Sequence, residues 1–176
     1  TTLGDYKVPG RIAPFMRCWG DSDRTPENVY EQVTQQCSSE DDIYLSRGQQ
    51  TGMVHFQHNY FAGKHINRFR FYNLYQAQFN MPYERIQATQ EDVSRFACHT
   101  DFVDHDGLSF KAALCLRRYK KLPDLYDAVL RAATLDHGTR GVQTTLVLAG
   151  VTADNARLFA RRYLESFARK RKAGAK

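Results

Sequence analysis

The feature that most constrains the fold is a predicted β-hairpin around Asp106-Gly107. Apolar-rich runs flank this dipeptide, which favours a two-residue type I′ turn because both central positions need φ > 0. A turn here pairs His105 with Leu108 and places Cys98 opposite Cys115. That pair is of the non-hydrogen-bonded kind, in which side chains approach most closely. Turn chemistry and cysteine spacing agree on one register, so we expect a disulfide-linked hairpin.

The four cysteines indicate the cellular compartment of the protein. Four cysteines allow three connectivities, and the hairpin register leaves Cys18 to pair with Cys37. No C-x-x-C pair occurs, which disfavours a zinc ribbon or a thioredoxin-like redox site. Two disulfides favour an oxidising compartment, and we predict a periplasmic or secreted protein. The alternative is four buried free thiols in a cytosolic protein.

The length of the chain bounds its domain organisation. With 176 residues, of which 42% are hydrophobic, the chain can form one domain with a substantial core. We predict residues 1–12 as an irregular lead-in or linker, 13–169 as a single domain and 170–176 as a basic tail. The chain opens without a signal-peptide pattern, and we expect it to be a piece of a longer protein.

Three segments carry helix signals. Thr25-Pro26 and Leu122-Pro123 each place a proline at a first helical position, and Thr152 is a favourable N-cap. Apolar residues then recur at helical spacing in each segment. We therefore predict helices at about residues 25–37, 123–137 and 152–169.

Short β-strands are predicted between these helices. Residues 53–61 alternate in polarity, and residues 43–45 form a short strand candidate. Residues 144–148 are apolar and rich in β-branched side chains, although so short a run also fits a helix turn. Residues 69–79 fit a strand or a helix equally well. The predicted fold class is α+β, an antiparallel sheet of short strands with three helices packed on it and two disulfides.

Catalytic and metal-binding motifs are not apparent in the sequence. Ser22 follows Asp21, but no histidine precedes it to act as a general base, and no glycine-rich phosphate loop occurs. We predict no catalytic residues, no cofactor and no metal. An alternative is a small periplasmic enzyme that uses His99 and Asp101, which share one face of the hairpin.

Two sets of side chains are candidate binding surfaces. Aromatic and arginine residues interleave in the middle of the chain, a composition that protein interfaces favour, although such aromatics equally form cores. This partner surface would comprise Arg68, Arg70, Tyr72, Tyr75 and Tyr83.

The second set is basic and lies near the carboxyl end of the chain. It could bind anions or a membrane surface, whereas nucleic-acid binding is disfavoured because no reader motif accompanies the charge. This set comprises Arg161, Arg162, Arg169, Lys170 and Arg171. The small-molecule substrate, if there is one, stays unassigned.

Several phrases are similar to those of a known group of proteins. They are the phrases at 71–75, 122–127 and 161–164 (FYNLY, LPDLYD and RRYL), together with the run at 146–150. The chain resembles the region that follows the catalytic domain in some bacterial periplasmic trypsin-like serine proteases. The resemblance implies an exported accessory domain whose hydrolase residues lie upstream, and no triad residue can be transferred to this sequence. We therefore expect a non-catalytic domain that binds a protein partner or an upstream protease domain.

Overall fold

A computed structural model describes residues 2–10, 17–20, 32–38, 43–44, 50–51, 53–63, 66–77 and 93–170, with side chains at 2–10, 54–63, 66–72 and 93–170. Its two helices in these ranges are α1 Arg68–Ala77 and α2 Ala153–Glu165. The strands are β1 Thr2–Leu3, β2 Tyr6–Lys7, β3 Arg17–Gly20, β4 Gln32–Ser38, β5 Ile43–Tyr44, β6 Gln50–Thr51, β7 Met53–Ala62, β8 Ala97–His105, β9 Leu108–Arg118, β10 Tyr126–Asp136, β11 Arg140–Val151 and β12 Ala168–Arg169.

An antiparallel sheet of seven strands dominates the fold. Its strand order is β3-β4-β7-β11-β10-β9-β8, so β8 lies at one edge. A small sheet, β1-β2-β12, joins the two ends of the described chain, and β5 pairs with β6. Residues 2–10, predicted as part of an irregular lead-in, therefore include two strands, and they bury Leu3, Tyr6 and Val8 in the core.

The predicted hairpin is confirmed in its register and its disulfide. His105 pairs with Leu108, and Cys98 pairs with Cys115 at a Cα separation of 4.0 Å with a disulfide between them. Asp106 and Gly107 both have positive φ, at 47° and 73°. This conformation is what a type I′ turn requires of both central residues, and asparagine, aspartate and glycine tolerate it best.

The main core lies between the large sheet and α2. On this α2 face, side chains from β7, β9, β10 and β11 pack against the apolar stripe of the helix. The helix begins at its predicted N-cap, where Thr152 Oγ1 accepts a hydrogen bond from Asn155 N–H at 3.3 Å. It contributes Ala156, Phe159, Ala160, Tyr163 and Leu164 to the core.

The opposite face of the sheet is covered in part by α1. Phe71 and Tyr72 of this helix pack on Ala133 of β10, which defines the α1 face. The stretch that fitted a strand or a helix is thus a helix. Within the described residues, neither helix has the length and the hydropathy of a membrane-spanning segment.

The predicted α+β class with three helices is wrong, and residues 123–137 show why. They hold β10, which pairs with β9 on one side and β11 on the other. Its residues 127–134 are buried without interruption, so the strand lacks the alternation of a half-exposed strand. Apolar residues that occupy both faces of a buried strand fit a helical stripe by accident. Gly138, which directly follows the end of the predicted helix, instead lies in the β10–β11 turn with φ of 72°.

The helix predicted at about 25–37 is also wrong where the structure describes it. Gln32–Ser38 is β4, which forms ladders with both β3 and β7. Two ladders of backbone hydrogen bonds stabilise the strand against a local helix signal, and Thr25-Pro26, which carried that signal, lies outside the described residues. Long strands thus replace the predicted short ones.

Of the two predicted disulfides, the described side chains contain one, Cys98–Cys115. The backbones of Cys18 and Cys37 face each other across β3 and β4, and their side chains lie outside the described residues.

Candidate functional site

The open edge of the large sheet is the candidate site. β8 is the last strand in the order, and all nine of its residues are exposed or half-buried. Because Cys98 forms a non-hydrogen-bonded pair with Cys115, its own peptide groups and those of Thr100, Phe102 and Asp104 point away from β9. Phe102 N–H donates to Asp101 Oδ1 at 2.7 Å, and the other outward groups have no partner among the described residues. Such an edge can pair with another strand.

The disulfide keeps this edge in place. Cys115 is fully buried in β9, whereas Cys98 on β8 is exposed. A covalent link between the edge strand and its only described neighbour limits fraying of β8. The edge therefore offers a preorganised ladder to a binding partner.

A groove runs between β8 and α2 on the α2 face. Its end near the hairpin turn is a cavity of about 410 Å³, and its end near Ala97 is a cavity of about 500 Å³. The turn end is lined by residues that include His99, Asp101, Leu130, Ala160, Arg161 and Leu164. The Ala97 end is lined by residues that include Arg95, Leu114, Leu116, Arg118, Tyr126 and Arg157.

Opposite charges lie at the two ends of the edge. Asp101, Asp104 and Asp106 are exposed toward the turn, and none of them forms an ion pair with a described basic side chain. Arg95 and Arg118 are exposed at the Ala97 end, and neither pairs with a described carboxylate. The edge therefore has an acidic end and a basic end.

A buried polar cluster supports the basic end. Arg117 Nε donates to Asp127 Oδ2 at 2.7 Å, and the Tyr119 hydroxyl donates to Asp127 Oδ1. The Arg117 guanidinium lies 5.0 Å from the centroid of the Phe96 ring. Burial and the hydrogen bond to Asp127 raise the pKa of Tyr119, so its hydroxyl stays a donor. These contacts fix the strand segment that carries Arg118.

The backbone changes register at this same end. Ser94 N–H donates to Arg118 O, and Arg118 N–H donates to Ser94 Oγ, both at 2.8 Å. The ladder ends at Ala97 opposite Leu116 and resumes as a bridge between residues 93 and 119, so residues 94–96 oppose only 117–118. This bulge interrupts the edge beyond Ala97.

A second polar network is enclosed in the core. His58 is fully buried, its Nε2 lies 2.8 Å from Pro9 O, and its Nδ1 lies 2.9 Å from Thr144 Oγ1. A carbonyl oxygen only accepts, so Nε2 carries the proton and Nδ1 accepts from Thr144. The Tyr163 hydroxyl then donates to Thr144 Oγ1 at 2.5 Å. Burial lowers the pKa of His58 to about 4, so it is neutral at physiological pH. Enclosed and fully paired, this network has a structural role.

The residues of the predicted partner surface do not form one exposed surface. Arg68 and Arg70 are exposed on α1, whereas Tyr72 is buried against Phe71, with the Arg68 guanidinium 5.9 Å from its ring centroid. The backbone of Tyr75 lies in α1, but its side chain and all of Tyr83 are outside the described residues. For Tyr72 the alternative interpretation is the correct one, since its side chain is part of the core.

The predicted anion-binding residues are dispersed. Arg161 pairs with Glu165 at 2.9 Å on α2, and Arg169 pairs with Asp136 at 3.2 Å on β12. Arg162 and Lys170 are exposed, and Arg171 lies outside the described residues. Ion pairing thus offsets part of the positive charge in this region.

His99 and Asp101, the basis of the enzyme alternative, do line the same groove. No hydrogen bond joins these two described side chains, and Asp101 Oδ1 accepts from Phe102 N–H instead. Among the described residues, no group of three or more histidine, cysteine, aspartate or glutamate side chains could hold a metal ion.

Sequence reasoning did not find the open edge or its arginine-lined end. The hairpin was predicted, but β8 lies at the edge because β10 pairs with β9 on the other side, and residues 123–137 were predicted as a helix. A local signal existed in the three aspartates of residues 101–106, because charged residues are typical of edge strands.

Comparison with known proteins gives no family for this chain. No protein-family model matches it, and no curated protein matches it. One solved structure that aligns with it is the solution structure of cyanobacterial PsbP (CyanoP) from Synechocystis sp. PCC 6803. The alignment covers 92% of this chain and 96% of that chain, with 11% sequence identity and a TM-score of 0.38. A similarity this low does not bear on function.

Proposed function

We propose that this chain is an exported, non-catalytic domain that binds a protein partner by strand addition along β8. The observation that carries the proposal is a nine-residue edge strand whose outward peptide groups face solvent. Main-chain hydrogen bonds to such an edge provide affinity, and pockets for alternate side chains provide specificity. The β8–α2 groove lies where one set of those side chains would enter.

Export is supported by the Cys98–Cys115 disulfide, because such bonds persist in oxidising compartments. We place the protein in the periplasm or outside the cell. An upstream trypsin-like protease domain is one partner that the sequence resemblance suggests. A linked protease would present an extended segment to β8 at high effective concentration.

The composition of the edge favours a different protein, and not a second copy of this chain, as the binding partner. Asp101 and Asp104 lie within one strand, so two β8 edges brought side by side would bring four carboxylates into one interface. Like charges on facing strands are destabilising, and acidic edge strands resist self-association. Phe102, which is 58% exposed, offers an apolar contact to an incoming strand.

Replacing Thr100 with proline is expected to lower the affinity for a strand-adding peptide at least tenfold. The outward Thr100 N–H is lost and the ring blocks the edge, while the ladder to β9 is kept because proline is tolerated on edge strands. Peptides of about ten residues, matched to the strand length, would be selected from a random display library and measured by fluorescence anisotropy.

Thr100→Ser, which keeps the N–H, is the matched control and should bind as the unchanged chain does. Hydrogen exchange provides the second readout. In the free protein the amides of Cys98, Thr100 and Asp104 face solvent, and bound peptide should slow their exchange. Equal binding by Thr100→Pro, or unchanged exchange at these amides, would contradict strand addition.

The enzyme alternative depends on the shared location of His99 and Asp101 in the groove. Hydrolysis of casein or a peptide ester by the purified chain, abolished in His99→Ala, would favour it over the binding domain.

A further inference from the structure

We infer that the basic end of the groove binds the free C-terminal carboxylate of the partner chain, with the last apolar side chain seated in the cavity of about 500 Å³. This inference rests on the proposed strand addition and names the partner segment and its direction. It requires a separate partner chain, because an upstream domain of the same polypeptide ends in a peptide bond and has no free carboxylate. We call this the carboxylate pocket, defined by Arg95, Leu114, Leu116, Arg118 and Arg157.

The charges of the pocket match a carboxylate. Arg95 and Arg118 are exposed and have no described carboxylate partner, and Arg157 on the α2 side of the pocket pairs with Asp154 at 3.0 Å. Among the described residues, two guanidinium groups without a carboxylate partner lie beside one cavity and give it a net positive charge. Guanidinium groups form strong, paired hydrogen bonds with carboxylates.

The floor of the pocket is apolar. Leu114 and Leu116 are half-buried side chains that pack against the core on one side and line the cavity on the other. Tyr126, which pairs with Arg118 in the ladder, and Ala153 also line the cavity. An apolar side chain placed here would remove further leucine surface from water, which stabilises the complex.

Because the edge is interrupted by the bulge, the pocket suits the C-terminal carboxylate of a chain better than the side chain of an internal acidic residue. A strand added to β8 can form regular ladder bonds only as far as Ala97, because the bulge at residues 94–96 shifts the register beyond it. A segment that continued past Ala97 would leave its next peptide groups without partners. A segment that ends at the pocket has no further peptide groups that would lack partners.

The opposite charges set the direction of the partner segment. If its carboxylate lies by Arg95 and Arg118, an antiparallel strand runs back along β8 past Asp101 and Asp104. With its last residue opposite Ala97, whose side chain lies on the α2 face like that of Leu116, residues about four and seven positions earlier lie opposite these aspartates. The favoured ligand is thus an extended C-terminus with basic residues before an apolar last residue.

The test uses the full chain and synthetic peptides selected for binding to it, each made as the free acid, as the C-terminal amide and with a short extension beyond the last residue. We expect the amide and the extended peptide to bind at least tenfold more weakly than the free acid. The free acid should bind less tightly as salt rises, because exposed charges are screened.

Arg95→Ala and Arg118→Ala should each remove most of the preference for the free acid. Arg162→Ala makes the same charge change on an exposed residue of α2 outside the pocket and should leave the preference intact. Leu116→Trp, which fills the floor, should weaken binding of peptides with a large apolar last residue more than those ending in alanine. The pocket would be contradicted if Arg95→Ala, Arg118→Ala and Arg162→Ala all bound the free acid with the same affinity.

The outcomes distinguish a failure of the carboxylate pocket from a failure of strand addition. Equal affinity of free acid, amide and extended peptide, with exchange slowed along β8, would overturn the carboxylate pocket and leave strand addition standing. Failure to select any peptide that slows exchange along β8 would overturn both.

Discussion

Asp127→Ala is expected to lower the free energy of unfolding by about 3–5 kcal/mol, because it leaves a buried guanidinium without its counter-charge. Asp127 is fully buried and pairs with Arg117, whose side chain is 8% exposed. It also accepts from the Tyr119 hydroxyl, which would lose its partner. Urea denaturation of the oxidised chain, followed by circular dichroism, measures the loss.

A double variant tests whether the loss comes from the unpaired charge. Arg117→Met with Asp127→Leu removes both charges and should recover much of the stability, since apolar residues of similar volume often replace a buried ion pair well. A loss below about 1 kcal/mol in Asp127→Ala would contradict the interpretation, because an uncompensated buried charge costs far more. So would a double variant less stable than the single one.

Lowering the pH from about 7 to 4 is expected to cost the folded state about 3 kcal/mol through His58 alone. Burial lowers the pKa of His58 to about 4 from its ordinary 6.5, and a tenfold difference in proton affinity between the folded and unfolded states corresponds to about 1.4 kcal/mol. Above pH 6.5 the ring is neutral in both states and the stability is complete. As the pH falls below 6.5 the unfolded chain takes up a proton first, so stability is lost until about pH 4, where the folded state is protonated too.

His58→Gln provides the matched comparison, because glutamine can donate and accept hydrogen bonds but does not titrate. All other groups titrate in both proteins, including His55, whose pKa burial also lowers. The expected result is a steeper fall of unfolding free energy in the unchanged chain between pH 6.5 and 4, measured by urea denaturation at each pH. Parallel pH profiles for the two proteins would show that His58 binds a proton equally well in both states.

These two clusters also bear on the proposed binding site. Arg117 and Asp127 support the strand segment that carries Arg118, and the His58 network ties β7 and β11 to Tyr163 of α2 and to Pro9. Both hold the elements that frame the groove. A variant that loosens either cluster can therefore weaken peptide binding without touching the peptide, and binding should be compared only between variants of known stability.

Features that depend on neighbours in the chain were predictable. The turn at Asp106-Gly107 needs two residues with positive φ, and those residues alone set the register that brings Cys98 to Cys115. Helix α2 likewise begins at Thr152, because an N-cap and an amphipathic stripe act within a few turns. The second predicted disulfide depends on side chains outside the described residues.

The central strand and the site were decided by tertiary structure. Residues 126–136 carry an apolar spacing that suits a helix, yet they form β10, because β9 and β11 supply ladders on both sides and bury both faces. Strand order then left β8 at the edge, and α2 closed the groove beside it. By itself the sequence determined the local geometry of the hairpin and the start of the last helix, whose hydrogen bonds form between residues close in the chain. That helix was predicted to extend to about residue 169, but it ends at Glu165 because Ala168–Arg169 pair with β2 as β12. The exposed edge and the arginine pocket depend on partners far apart in sequence, which only packing brings together.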